Sequence, residues 1–233
     1  MKEEVYIEQP YGYKRKSSER LVCKLHKAVY GLKQAARCWN ETLTELLNSL
    51  GLGQFSSEEC IYASKGNELI VGAYVDDLLI ISASNEIVEN FKKLLSEKVR
   101  LTDNGNLKKF VGISVERTGS ELKLSQKEMI YELIESCDLL NANGVRTPLA
   151  TGSVLDAEET DEPCKYIKKY QSLVGSLMYI AGCTRPDIQF VANHLGKYMA
   201  NPMEKHLCAA KRVVRYLKRT ANAQLIFKKK LLK

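Results

Sequence analysis

Two adjacent aspartates, Asp76 and Asp77, interrupt a run from Leu69 to Ile81 that is otherwise strongly apolar. Asp is a poor strand former, and apolar, β-prone residues flank the pair on both sides. Tyr74-Val75-Asp76-Asp77 is therefore placed at the tip of a hairpin. Two like charges so close repel unless a cation lies between them. Mg²⁺ suits that place, because it is hard, prefers oxygen ligands, and is held by one or two carboxylates together with phosphate oxygens. In phosphoryl and nucleotidyl transfer, two such ions about 3.5–4 Å apart stabilise the attacking and leaving oxygens. The same four residues also describe an exposed acidic turn that needs no metal.

The elements around the pair follow from periodicity and turn residues. Val5-Tyr6-Ile7 reads as a short strand ending before Pro10, with Gly12 in the turn beyond. A helix is expected from about Ala35, with Trp39, Leu43, Leu46, Leu47 and Leu50 on one apolar face, Trp39 in the core, and Gly51 as its stop. Three β runs follow, at 60–64, 68–75 and 78–83, an antiparallel meander whose second turn is very tight. Ser84 or Asn85 caps another helix, with Ile87, Phe91, Leu94 and Leu95 inward. Residues 108–117 and 121–124 make a second hairpin across Thr118-Gly119-Ser120. A helix from about Gln126 turns Ile130, Leu133, Ile134 and Cys137 to one side, and Asn143-Gly144 and Pro148 end that unit. Residues 151–163 are acidic and weakly apolar, a surface linker. The remainder reads as helical: 166–182, a second helix opened by Thr184-Arg185-Pro186-Asp187, and a third opened by Asn201-Pro202. On the third, Leu207, Ala210, Val214 and Leu217 keep helical spacing while Lys211, Arg212, Arg215, Lys218 and Arg219 cover the rest of its surface. The fold class is α+β followed by helices.

Composition narrows the setting. With 45% hydrophobic and 27% charged residues the 233-residue chain is an ordinary globular sequence. No stretch reaches the roughly 18 apolar residues of a membrane span, and Met-Lys-Glu-Glu at the start is no apolar signal region. Seven cysteines without a Cys-x-x-Cys pair suit reduced thiols, so an intracellular place, cytoplasmic or nuclear, is expected. His26, His194 and His206 are too scattered to spell a zinc site. The net charge of +7 is uneven: of 35 basic residues ten fall in 205–233, where there is no acid, leaving 25 against 28 acids elsewhere. A polyanion such as nucleic acid is one partner that this end suits; a solvated helix face with a frayed tail is the other reading.

The order of motifs resembles a known family. Residues 25–39, Leu-His-Lys-Ala-Val-Tyr-Gly-Leu-Lys-Gln-Ala-Ala-Arg-Cys-Trp, look like the segment that precedes the palm helix in copia-type retrotransposon reverse transcriptases. Tyr74–Asp77 falls at a suitable distance beyond it. Residues 103–113 match a strand-entry signature of that family, 170–179 with 184–187 its thumb-to-connection region, and 209–218 the helix leading toward ribonuclease H. The likeness runs in order along nearly the whole chain. It implies a partial palm over about 1–120, a thumb-like unit with its acidic linker over 121–165, and helical connection elements over 166–233. It further implies RNA-templated DNA synthesis with Mg²⁺ or Mn²⁺, deoxynucleoside triphosphates, an RNA template and a DNA primer, within a longer Pol polyprotein. Asp76 and Asp77 become the catalytic, metal-holding carboxylates. Val75 and Tyr74 lie by the primer terminus and nucleotide, and Tyr30, Gly31, Lys33 and Gln34 border nucleotide and template. By themselves those last four equally describe a helix entry with a glycine turn.

Three departures bear on activity. The family has a further catalytic aspartate on a strand upstream of the segment matching 2–7, and these residues are expected to lack it together with the fingers. They are also expected to stop short of ribonuclease H. Ala36 stands where the family usually has Pro. Two aspartates at one tip do not readily organise two metals, and losing about 4 kcal/mol of transition-state stabilisation slows a reaction roughly a thousandfold. The expectation is a truncated reverse transcriptase that binds metal weakly and is inactive alone. The rival is a non-catalytic nucleic-acid-binding protein that uses Lys211, Arg212, Arg215, Lys218 and Arg219 with the basic tail.

Overall fold

The computed structural model describes residues 3–15, 21–153, 155–156, 158 and 160–229. Lys2 of the 2–7 segment, three positions of the acidic linker (Val154, Ala157 and Glu159) and the 230–233 end of the basic tail lie outside the described residues. The chain forms two compact units, Met1–Asp103 and Asn104–Lys233.

In the first unit β1 (Tyr6–Glu8) pairs antiparallel with β2 (Val22–Lys24). Helix α1 (Ala35–Ser49) leads into a four-stranded antiparallel meander of β3 (Leu52–Gln54), β4 (Ile61–Ser64), β5 (Leu69–Tyr74) and β6 (Asp77–Ser82). Helix α2 (Asn85–Lys98) follows. The meander is the expected one with an extra strand, β3, whose sequence Leu-Gly-Gln carries no β signal of its own and is held by pairing with β4. Strand alternation turns Leu69 and Val71 to one face, where they meet Leu43 and Leu47 of α1 and Phe91 and Leu95 of α2 around the fully buried Tyr62. The Tyr62 hydroxyl is satisfied by Thr44 Oγ1 at 2.8 Å. Leu94, expected inward on α2, is exposed, because the core-facing stripe of that helix passes through Ile87, Phe91 and Leu95. Ser84 sits at the N-cap of α2 without a side-chain cap hydrogen bond.

The second unit holds a sheet in the order β10-β9-β8-β7, made of β7 (Lys109–Phe110), β8 (Ile113–Thr118), β9 (Glu121–Ser125) and β10 (Leu225–Lys228). Its helices are α3 (Lys127–Ser136), α4 (Ile167–Cys183), α5 (Gln189–Gly196, after a 3₁₀ turn at Pro186–Ile188) and α6 (Glu204–Arg219). Three expectations are corrected here. The run 108–117 folds back on itself at Val111 and Gly112, both with positive φ, and becomes the pair β7–β8. The end of the chain is not all helical: Leu225-Ile226-Phe227 is β-prone and pairs with β9. The linker at 151–163 is tied down, since Leu155 is buried, Asp161 pairs with Lys205 at 2.6 Å, and the Glu204 N–H donates to the Glu162 carbonyl. Because β10 pairs with the β8–β9 hairpin, that hairpin falls in the same compact unit as the helices, whereas the expected palm segment reaches about 120.

A buried cation organises this unit's core. Arg185 is 2% exposed, with Nε and Nη2 bidentate on Asp187 at 3.0 and 2.7 Å, Nη1 on the Thr220 carbonyl at 3.1 Å and Nη2 on the Thr220 hydroxyl at 2.6 Å. Tyr216 donates to the same Asp187 carboxylate at 2.8 Å and lies under the guanidinium. Burial raises the Asp187 carboxyl, but the Arg185 and Tyr216 hydrogen bonds outweigh it and hold the carboxyl below the ordinary carboxylate range. The Lys205 hydrogen bond lowers Asp161 as well. Carboxyls lowered by folding stabilise fully above their unfolded values, about pH 4, and lose that contribution as pH falls through the lowered folded values. Urea unfolding should therefore show stability dropping below about pH 4. At pH 7, Asp187→Ala should lose about 2–3 kcal/mol by leaving Arg185 buried and unpaired. An unchanged midpoint in that variant contradicts the account.

Candidate active site

Only Val75 and Asp76 connect β5 to β6, since Tyr74 pairs directly with Asp77. Asp76 therefore occupies the second central position of the turn, and Asp77 opens the outgoing strand rather than sharing the tip. Val75 takes φ +53° while Asp76 stays out of the left-handed region, the sign pattern of a type II′ turn. Gly favours that first position, and a β-branched residue there is a backbone outlier. Both aspartates are exposed, with hard oxygen donors at one end of the hairpin.

The segment before α1 reaches this turn. Gly31, next to Tyr30, takes φ +93°, a backbone conformation that suits glycine alone among common residues. The Tyr30 hydroxyl donates to Asp76 Oδ2. That hydrogen bond, with burial and the carboxylate charge acting in the same direction, holds the Tyr30 phenol above its ordinary range. Lys33 is exposed in the following turn, and Gln34 occupies the N-cap position of α1 without a side-chain cap bond. Of the residues singled out in the sequence, Tyr30, Tyr74, Val75, Asp76 and Asp77 are thus brought together, with Gly31, Lys33 and Gln34 on the segment beside them.

Trp39 departs from expectation. Apolar spacing assigns it to the core, yet it is 42% exposed, and its indole N–H donates to the Val75 carbonyl at 2.7 Å. It stands at the N-terminal end of α1's apolar face, beyond the reach of the sheet core. An indole brings one donor that needs an acceptor, but nothing in linear spacing says that the acceptor is a turn carbonyl 36 residues on.

Exposed carboxylates on two adjacent residues are the kind of oxygen donors that a hard divalent cation takes together with other oxygens. Among the described residues no group of three or more His, Cys, Asp and Glu side chains could hold a metal by itself.

The basic face of α6 is engaged with the protein itself. Lys218 Nζ donates to the carbonyls of Leu139 at 3.2 Å, Leu140, and Ala142 at 2.9 Å. Arg215 Nε donates to the Asn143 carbonyl at 2.7 Å, and Arg212 Nη2 to the Thr147 hydroxyl at 3.2 Å. Gly144 lies so close that a Cβ there would stand 2.9 Å from that of Arg219. Lys211 is half-buried, and Arg219 is the one exposed residue of the five. These cations staple the 139–147 segment to α6.

Comparison with known proteins adds kinship to geometry. A family model described as "Reverse transcriptase (RNA-dependent DNA polymerase)" matches residues 1–151. A retrovirus-related Pol polyprotein from transposon RE1 of Arabidopsis thaliana is 36% identical over 97% of this chain, and one from transposon TNT 1-94 of Nicotiana tabacum is 35% identical over 97%. This chain spans 16% and 18% of the length of those two polyproteins. A transposon Ty5-1 protein of Saccharomyces cerevisiae is 30% identical, over 98% of this chain and 75% of its own length. No solved structure matches.

The carbonyl cluster around Lys218 makes a direct test. Lys218→Gln removes the charge from three acceptors and should lower stability by about 1–3 kcal/mol, read by chemical denaturation. A solvated surface lysine would leave the midpoint within about 0.5 kcal/mol.

Proposed function

The chain belongs to the reverse transcriptase (RNA-dependent DNA polymerase) family, as a region shared with transposon Pol polyproteins, and we propose that the β5–β6 turn carries part of its nucleotidyl-transfer site. One observation carries this reading: Asp76 on a strained turn and Asp77 at the strand start beside it both stand exposed, and a neighbouring segment holds that turn by side-chain hydrogen bonds. Asp76 and Asp77 hold a divalent ion, Mg²⁺ or Mn²⁺. Such an ion, when bound, lends charge stabilisation to the oxygens of phosphoryl transfer. Tyr30 orients the Asp76 carboxylate. Lys33 offers a cation for phosphate, Gly31 and Gln34 border nucleotide and template, and Tyr74 with Val75 flanks the primer end. The natural reactants are deoxynucleoside triphosphates on an RNA template with a DNA primer, in a copia-type element. The first unit then supplies palm elements, and the second unit supplies thumb and connection elements.

The pair is a partial ligand set. Two-metal phosphoryl transfer takes two ions, and among the described residues no group of three or more His, Cys, Asp and Glu could hold a metal, so on this reading the pair by itself binds metal weakly and synthesises no DNA. The rival reading, nucleic-acid binding through the basic face of α6, is weakened by the stapling role of Arg212, Arg215 and Lys218.

Adding Mn²⁺ should broaden the NMR resonances of Tyr74–Asp77 selectively, and an Asp76→Asn, Asp77→Asn double substitution should abolish that effect. Broadening elsewhere that survives the double substitution contradicts the metal assignment. Primer extension on an RNA template should stay at background with this chain. Fusion to the fingers and remaining palm of a related transposon should raise it at least a hundredfold, in a manner lost with Asp76→Asn, which removes electrostatic stabilisation of that order. Primer extension by the unfused chain contradicts the partial-set reading.

A further inference from the structure

The Val75 carbonyl belongs to the Val75–Asp76 peptide, the central peptide of a two-residue turn. Types I′ and II′ differ in the sign of φ at the second central residue, which the orientation of that peptide decides. In this turn the first position has φ +53° and the second is not left-handed. The peptide's direction therefore settles where Asp76 leaves the backbone and how β6 begins at Asp77. Valine is poorly suited to choose that direction: at positive φ it lies in a region costing about 1–3 kcal/mol, which persists only where the surroundings over-determine it. The Trp39 indole N–H, 2.7 Å from the Val75 oxygen, is the side-chain donor that meets this peptide.

We propose that Trp39 is a positioning residue for nucleotidyl transfer, its indole N–H fixing the central peptide of the turn and thereby the direction in which Asp76 and Asp77 present their carboxylates. This rests on the assignment of those aspartates as metal ligands. Trp39 and Tyr30 act at different levels. The indole holds backbone, and the Tyr30 hydroxyl holds the Asp76 carboxylate that the backbone has aimed. Both come from one stretch of chain, Tyr30 just before α1 and Trp39 in its first turns, with the positive-φ Gly31 between them. The exposure of Trp39 agrees with the role: a large aromatic left 42% open at the end of an apolar face contributes less as core than its size allows, and its single donor is spent on the turn.

Trp39 is the sole tryptophan of the sequence, so its indole N–H gives one unambiguous NMR signal in the full chain. That proton should be protected from solvent exchange and should broaden on addition of Mn²⁺. Two variants remove the donor. Trp39→Phe keeps an aromatic ring, and benzothienylalanine incorporated at position 39 keeps the fused-ring shape with sulfur in place of N–H. In both, the Mn²⁺ dissociation constant, measured from the free-ion EPR signal, should rise about three- to tenfold, the worth of one hydrogen bond. Amide shifts should change at Tyr74–Asp77, and the benzothienylalanine protein should still unfold cooperatively, with a thermal midpoint lower by only about 2–4 °C. An indole proton exchanging as fast as free indole, or wild-type Mn²⁺ affinity with benzothienylalanine in place, overturns the proposal. If Mn²⁺ fails to broaden Tyr74–Asp77 in the unsubstituted chain, the metal assignment falls. Amide shifts in the benzothienylalanine protein then still decide whether the indole sets the turn, an unshifted turn overturning it.

Discussion

Joining β5 to β6 through Val75 and Asp76 alone leaves that hairpin no freedom of register, because Tyr74 must face Asp77 and every pair behind them is then set back to Leu69 and Ser82. A slip of β5 by one residue would carry Leu69 and Val71 from the core to the opposite face, and the helices would lose that part of the surface on which Leu47 and Phe91 rest. The hydrophobic core and the acidic pair thus hold one another in place. Burial of the apolar alternation fixes the strand register, and the register decides that Val75 and Asp76 form the turn while Asp77 opens β6. Chemistry that needs two carboxylates within reach of one ion inherits its precision from side chains that never touch it.

A second tight turn in the same chain makes the point by contrast. Val111 and Gly112 join β7 to β8, both at positive φ, and the Val111 carbonyl accepts the Tyr179 hydroxyl. Valine takes the unfavoured first position in both turns, and in both an aromatic donor from a helix meets its carbonyl. At the second position the two part: glycine accommodates φ +75° without strain, while Asp76 does not adopt positive φ and keeps its carboxylate. The device is one of backbone control, and only one of the two turns has a chemical group to aim.

Much of this was readable from residue order. The central strands of the meander, the extent of α1, the start of α2, the apolar stripe of α6 and the tight turn beside the aspartates all follow from periodicity and turn chemistry, since each depends on neighbours within a few residues. What spacing misjudged depends on partners distant in sequence. Trp39 falls on an apolar stripe but lies past the edge of the sheet. Lys218, Arg215 and Arg212 have the spacing of a solvated face, yet carbonyls and a hydroxyl of the 139–147 segment beyond α3 claim them. Leu225-Ile226-Phe227 follows a helix and has no local turn partner, so nothing nearby shows that an open strand edge awaits it. Thr184-Arg185-Pro186-Asp187 was recognisable as a helix start, while the burial of its arginine required knowing where Tyr216 and Thr220 would lie.

The pairing of β10 with β9 also orders events in time. Leu124 meets Leu225, so the edge of β9 stays open while the residues of α3, α4, α5 and α6 between them are synthesised. Closing so long a loop carries an entropic penalty that local helices do not face. The helical elements can therefore form first and the sheet is sealed last, with an unpaired strand edge exposed in the interval. Until β10 pairs, the outer edge of β9 presents unpaired backbone donors and acceptors of the kind that another strand can meet.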